Sequence, residues 1–264
     1  MLKREVKSSD YEEVGKLLNV EPEALLAVIE TELAGRSGFY SSGKPKILFE
    51  AHVMYSQLKK KGFNVSNLIN KYPTILAVDW SHGRKLYTKG ENELNRLELA
   101  KTVDEESAIS SASWGVFQIM GYNYKNTGCS SVNELEERMS ESEYSQFILG
   151  TNFIANNSKL LSALRNRNWA KFASIYNGPS YKENNYDVKM ANAYSKYKSI
   201  RVKRIGTILR MDTTLPQAVD LFKGNNNKYY VLENGIYKEL KDKDGDLYTT
   251  KSDWIYGKNT IKLK

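Results

Sequence analysis

The sequence predicts a mainly α fold over roughly its first 200 residues, followed by a small β-rich C-terminal domain. Three observations carry this. Apolar residues recur at helical spacing through most of the first 200 positions, as in Leu25, Val28, Ile29 and Glu32 at i, i+3, i+4 and i+7. Beyond about Ile200 the apolar runs become short and strand-like and are separated by turn pairs such as Asn234-Gly235. The chain is 41% hydrophobic and 27% charged, enough to bury a core and unlike a disordered segment.

Ser9 or Asp10 is placed to cap a first helix, with Glu12 or Glu13 in its first turn. A second helix starts near Pro22, a favourable first-turn residue, and Gly35 and Gly38 mark its end. A turn-rich loop over 39–46 leads to helix, or a short strand and then helix, from Ile47 to Lys60. Residues 70–95, with Pro73, Gly83 and Gly90, read as irregular, and Asn92 to Ser111 as helical. Residues 134–176 hold two or three further helices, with Leu160, Leu161, Leu164, Trp169, Phe172 and Ala173 expected in the core, and Tyr181 to Tyr197 forms another. A boundary near 198–206 gives domains 1–200 and 201–264. In the second, Asn234-Gly235 joins the strands 229–232 and 236–240, and Asp244-Gly245 is a second hairpin turn.

The net charge of +8 and pI near 9.2 favour a polyanionic partner: nucleic acid, an anionic membrane or an acidic wall polymer. No RNP-type aromatic stretch or Cys/His finger accompanies it, so nucleic acid is not expected. Residues 201–264 contribute 13 Lys/Arg against 8 Asp/Glu, a net +5 that suits either an anchor on an anionic surface or an accessory module. A single cysteine, Cys129, excludes an intrachain disulfide, and two histidines, His52 and His82, are too few for a His-rich metal site. No cofactor and no metal are expected. The pattern Asp242-Lys-Asp-Gly-Asp246 departs from a calcium loop in the position of its glycine and reads as a turn. There is neither an apolar h-region after the basic N-terminus nor an apolar run of membrane-spanning length. A monomer made in the cytoplasm without a recognisable signal, and without stable membrane insertion, is the expectation.

Glu32 is the first candidate for chemistry. Glu30 and Glu32 lie two positions apart on a helix, about 200° around the axis, so they point to opposite sides. Glu32 shares the apolar side of Leu25, Val28 and Ile29, where desolvation would raise a carboxyl pKa toward that of a general acid, while Glu30 points to solvent. A satisfied edge-of-core glutamate would show the same periodicity.

Two later stretches add to this: Ser111 to Gly121, and Ala173-Ser-Ile-Tyr-Asn-Gly-Pro179. With Leu26-Ala-Val-Ile-Glu-Thr-Glu32, Gly115-Val-Phe-Gln-Ile119 and Ala173-Ser-Ile-Tyr-Asn-Gly178 in that order, the chain resembles lysozyme-like glycan-cleaving enzymes, including soluble lytic transglycosylases and goose-type lysozymes. The closer resemblance is to the N-acetylmuramidase domain family of phage endolysins. It is carried by Lys46-Ile-Leu-Phe-Glu-Ala-His52, by Ser111 to Gly121 with Tyr122-Asn123-Tyr124, and by Tyr176-Asn-Gly-Pro-Ser-Tyr181 leading to Asn185-Tyr-Asp187. It covers about residues 10–198. At the helix end, Glu32-Leu-Ala-Gly35 has Leu33 where the family pattern has Ser. Glu30 therefore stays as an alternative, with register and helical face favouring Glu32.

The resemblance implies a lysozyme-like, two-lobed helical domain with a cleft, and cleavage of the β-1,4 bond between N-acetylmuramic acid and N-acetylglucosamine of bacterial peptidoglycan. It implies Glu32 as the acid. Gln118, Tyr176, Asn177 and Tyr181 would bind substrate, and Trp114 would either stack on a sugar or fill the core. Hydrolysis generally needs a second carboxylate, for which Glu50 is the first choice and Glu143 and Asp187 are others. Glu50 is equally suited to pairing with His52. A lytic transglycosylase giving 1,6-anhydro products, and a non-catalytic peptidoglycan-binding module, are the rival readings. A phage lysin released through a holin and an injected effector fit equally well, since either acts on the wall only after release or delivery.

Overall fold

Lys7 opens the first described helix, α1 (Ser8–Leu18), with its backbone N–H donating to the Asp10 carboxylate at 2.8 Å. Asp10 thus sits at the third helical position and not at the cap, a correction to the sequence reading. Its negative charge still faces the helix N-terminus, where the macrodipole favours it. Asn19 ends α1 in the left-handed region at φ 51°, which asparagine tolerates. Pro22 then opens α2 (Pro22–Leu33). The computed structural model describes residues 4–33, 37–210, 217–240, 255–256 and 259–260. The end of α2 at Gly35, the Asp244-Gly245 turn and the calcium-like stretch 242–246 lie outside the described residues.

The chain divides into two compact units: residues 1–4 with 32–162, and residues 5–31 with 163–264. The first holds β1 (Ile47–Phe49), α3 (Ala51–Lys60), α4 (Val65–Lys71), α5 (Trp80–Gly83), α6 (Asn92–Lys101), α7 (Glu105–Ser110), β2 (Ala112–Trp114), β3 (Ile119–Met120), α8 (Val132–Glu141), α9 (Glu143–Ala155) and most of α10 (Ser158–Arg165). The strands form an antiparallel sheet in the order β1-β2-β3, with Leu48 opposite Ser113 and Ser113 opposite Met120. Side chains alternate across it, as the two-residue period requires. Ile47, Phe49, Ala112, Trp114 and Ile119 are buried, while Leu48 and Met120 on the other face are half-buried. Residues 70–95 are less irregular than their Pro and Gly content suggests. They include the end of α4, then α5, capped by the Asp79 carboxylate accepting from His82 N–H, and a 3₁₀ turn over Arg84–Leu86.

The second unit holds α1, α2 up to Thr31, α11 (Trp169–Tyr176), α12 (Tyr186–Ile200), and an antiparallel sheet in the order β4 (Lys203–Arg210), β5 (Gln217–Lys223), β6 (Tyr229–Glu233), β7 (Ile236–Glu239). A further pair, β8 (Ile255–Tyr256) and β9 (Asn259–Thr260), is antiparallel. The chain is therefore mostly helical, followed by a four-stranded antiparallel sheet. Asn234 (φ 49°) and Gly235 (φ 75°) both take positive φ between β6 and β7, the backbone of a type I′ hairpin. This sheet packs on helices: Tyr11 in α1 donates its hydroxyl proton to the Gly235 carbonyl at 2.5 Å, and Tyr237 meets the rings of Phe222 and of Tyr197 in α12. Leu160, Leu164, Phe172 and Ala173 are buried, whereas Leu161 and Trp169 are exposed in part.

Candidate active site

Helix α2 is buried on nearly all sides. Ala24 through Ile29 are each at most 3% exposed, and Thr31 and Leu33 are also buried. Its apolar surface is thus not a single stripe, and face alone separates the two glutamates less than the sequence reading supposed. Glu30 does not simply face solvent: both of its carboxylate oxygens accept from Lys196 Nζ of α12, each at 2.9 Å. Glu32 is half-buried in the last turn of α2.

Glu50 caps α3 directly after β1, in extended conformation. Its carboxylate is largely covered, 14% exposed, and accepts a 2.6 Å hydrogen bond from the Tyr87 hydroxyl. His52 Nδ1 lies 3.4 Å from the same Oε2. His52 in turn packs on Gly83 of α5, where an added Cβ would come within 3.3 Å of the ring nitrogen. Burial, and then the bond to Glu50, push the Tyr87 hydroxyl pKa well above the usual phenol range, so Tyr87 stays a proton donor. Behind this cluster Glu93 and Arg96 of α6 form a buried ion pair at 2.8 Å.

Gln118 lies at the exposed tip of the β2–β3 hairpin, with φ 47°. Its Nε2 donates to the Gly115 carbonyl and its Oε1 accepts from Ser113 Oγ, both at 2.8 Å. One amide proton beyond that lock is available by valence to meet an acceptor such as an N-acetyl carbonyl. Gly115 has φ 65°, and a Cβ there would lie 2.7 Å from the Gln146 side chain. Fully buried Gln146 accepts from Val116 N–H at 3.0 Å and donates to the Met139 carbonyl at 2.8 Å, which fixes the loop from beneath. Trp114, next along β2, points the opposite way. It is 1% exposed, with its indole N–H on the Ile109 carbonyl at 3.2 Å. The enclosed ring offers no face to a sugar, so of the two roles open to Trp114 the structure gives packing.

Tyr176 and Asn177 end α11 in the second unit. Tyr176 stacks on Phe172 with centroids 5.4 Å apart, and Asn177 caps the helix through its N–H to the Ala173 carbonyl. Gly178, at φ 83°, turns the chain into a 3₁₀ turn over Pro179–Lys182 that carries half-buried Tyr181. Of the other carboxylates, Glu143 is buried at the start of α9 and accepts from Ser37 Oγ at 3.0 Å, and Asp187 lies in the first turn of α12. The structure thus gathers Glu50 with His52 and Tyr87, and Gln118 with Ser113 and Gly115. Glu32 belongs to the same unit, while Tyr176, Asn177 and Tyr181 belong to the other.

The N-acetylmuramidase family model matches residues 21–198, more than half of the chain. The chain belongs to the N-acetylmuramidase family. It is also similar to the crystal structure of the Burkholderia AP3 phage endolysin, with 35% identity, 74% of this chain and 71% of that chain covered, and a TM-score of 0.66. No curated protein matches. As an N-acetylmuramidase the chain is a glycoside hydrolase that acts on peptidoglycan. The matched span of the muramidase runs from the start of α2 to near the end of α12, so it contains every candidate residue above and stops before β4.

Sequence reasoning missed Tyr87, Glu93 and Arg96 around Glu50, and Gln146 under the hairpin. The pair at i and i+3 in α6 was visible as spacing, but nothing local marks it as buried. Gln146 acts across 30 positions of sequence, beyond the reach of any periodicity.

Proposed function

We propose that Glu32 is the general acid of this muramidase and Glu50 the second carboxylate. Glu32 protonates the oxygen that leaves the muramic acid C1. As that bond breaks, positive charge develops on the ring, and a carboxylate held nearby stabilises it or activates water. Gln118, Tyr176, Asn177 and Tyr181 bind and orient the sugars. The observation that supports Glu32 is its half-buried place in the last turn of α2, the helix-end position that the family resemblance implies for the acid; both oxygens of Glu30 meanwhile accept from Lys196. Glu50 is favoured over Glu143 because it follows β1 on the half-buried face of Leu48, whereas Glu143 is buried and bonded to Ser37. No cofactor enters this chemistry.

In the same reading residues 1–200 carry the catalytic activity and 201–264 contribute affinity for the anionic wall. The net +5 of that segment supports this. The chain is read further as a monomeric lysin that reaches the wall with the help of a holin or a delivery system; the likeness to a phage endolysin supports the lysin. Among the described residues no helix is long and apolar enough to cross a membrane.

The test is turbidity loss of purified peptidoglycan. Glu32→Gln is expected to lose on the order of a hundredfold or more of the rate, the range of a positioned general acid. Glu30→Gln is expected to keep activity and lose at most about 1 kcal/mol of stability with its ion pair. The reverse order of effects would transfer the acid to Glu30.

A further inference from the structure

The carboxylate of Glu93 holds two separate segments that meet at Glu50. Its Oε2 accepts from the N–H of Phe49, the residue before Glu50, at 2.9 Å. Its Oε1 accepts from the N–H and hydroxyl of Thr88, the residue after Tyr87, at 2.5 and 2.7 Å. Arg96 closes the frame, donating through Nη1 to Glu93 Oε2 at 2.8 Å and to the Phe49 carbonyl at 3.1 Å, and through Nε to the Thr74 carbonyl at 3.0 Å. Both backbone groups of Phe49 are therefore fixed by side chains of α6. Tyr87, fixed from its other side through Thr88, delivers its hydroxyl to Glu50 Oε2.

We propose that Tyr87 and Glu93 are positioning residues for Glu50: Glu93 fixes the two backbones, and Tyr87 fixes the carboxylate. This rests on the reading that Glu50 serves catalysis. Desolvation is the reason to look beyond stability for the role of this pair. Glu93 is 2% and Arg96 5% exposed, and a buried ion pair often gains little over an apolar pair of the same volume. What an apolar pair does not supply is directed hydrogen bonds. Here one planar carboxylate sets the separation of two chain segments, each one residue away from a member of the Glu50–Tyr87 bond. A carboxylate that serves a transition state needs that precision, because small displacements of catalytic groups are costly in rate.

The variants Tyr87→Phe, Thr88→Val, Glu93→Gln and Glu50→Gln in the full chain test this, each measured for kcat, KM and Tm on soluble peptidoglycan fragments. Tyr87→Phe removes one hydroxyl and keeps the ring. It is expected to lower kcat about tenfold, with KM within about twofold and Tm within about 3 °C. Thr88→Val is expected to lower kcat in the same sense by a smaller factor. Glu93→Gln is expected to lower kcat together with Tm, and Glu50→Gln to lower kcat furthest. If Glu50→Gln is impaired while Tyr87→Phe and Thr88→Val both keep wild-type kcat, Glu50 is held by other means and the proposal is wrong. If Glu50→Gln itself keeps wild-type kcat, the underlying reading of Glu50 falls and the proposal falls with it.

Discussion

Three carboxylates in this protein are defined by what holds them. Glu30 is spent on Lys196, Glu50 on Tyr87 and His52, and Glu93 on a frame of backbone donors. Glu21 shows the thermodynamic consequence most plainly. The hydroxyl of Tyr194 donates to it, Lys198 and Arg167 stand beside it, and the Tyr194 bond first, then the lysine, hold its pKa below the ordinary value near 4.5. A depressed folded-state pKa means the unfolded chain binds the proton more readily. The stabilisation is complete above the ordinary glutamate pKa and is lost as the pH falls from there through the folded value. Thermal melts between pH 6 and about pH 3 are expected to show a falling Tm whose slope is reduced in Glu21→Gln. An unchanged slope would assign the acid sensitivity to other groups. Glu32, Gln118 and Tyr176-Asn177 could be named as candidates from the sequence because motif and order single them out, and all lie within the span that the family model matches. Their hydrogen-bond partners could not be read, because these come from segments distant in the chain.

At the scale of elements, the hairpin of β2 and β3 shows where pattern suffices and where it fails. Gly115 and Gln118, both at positive φ, turn the chain between β2 and β3. The sequence reading did not see that Ser113 and Trp114 lie in a strand, whose two-residue period sends Trp114 into the core and Ser113 toward Gln118. Three-residue strands are too short to show alternation against a helical background. Gly115 is the point where the element is most constrained, by its positive φ and by Gln146 beneath it. Gly115→Ala is expected to destabilise the protein by about 1–3 kcal/mol, read as a lowered midpoint in urea, and to weaken substrate binding by disturbing Gln118. A variant with unchanged midpoint would show that the loop rearranges freely. The helices were easier to read: α2 starts at Pro22 as expected, and α12 (Tyr186–Ile200) overlaps most of the expected 181–197, while α1 starts ahead of its expected cap and α6 and α7 break at Thr102–Asp104 within a stretch read as continuous.

For the whole molecule, charge left three polyanionic partners open, and the family decides for peptidoglycan. A chain of net charge +8 is drawn to whatever negative charge its substrate surface carries. Long-range attraction of this kind is screened within about 8 Å at physiological ionic strength. Pull-down of the protein with purified walls is therefore expected to weaken steadily as salt rises. Binding that is indifferent to salt would assign affinity to the sugar contacts alone. The change from helix to sheet near residue 200 was legible from turn pairs and strand-like runs. The contacts that join this sheet to Tyr11 and Tyr197 were not, since aromatic packing between remote segments leaves no local signature.

In the proposed mechanism Glu32 protonates the leaving oxygen as the muramic acid–glucosamine bond is hydrolysed. Mass analysis of the fragments released from purified peptidoglycan by wild type and by a folded Glu32→Gln variant tests it most directly. Wild type is expected to release fragments with reducing N-acetylmuramic acid ends, and the variant almost none. Fragments with 1,6-anhydro ends would contradict hydrolysis, no fragments from wild type would contradict catalysis, and full activity in Glu32→Gln would contradict the assignment of the acid.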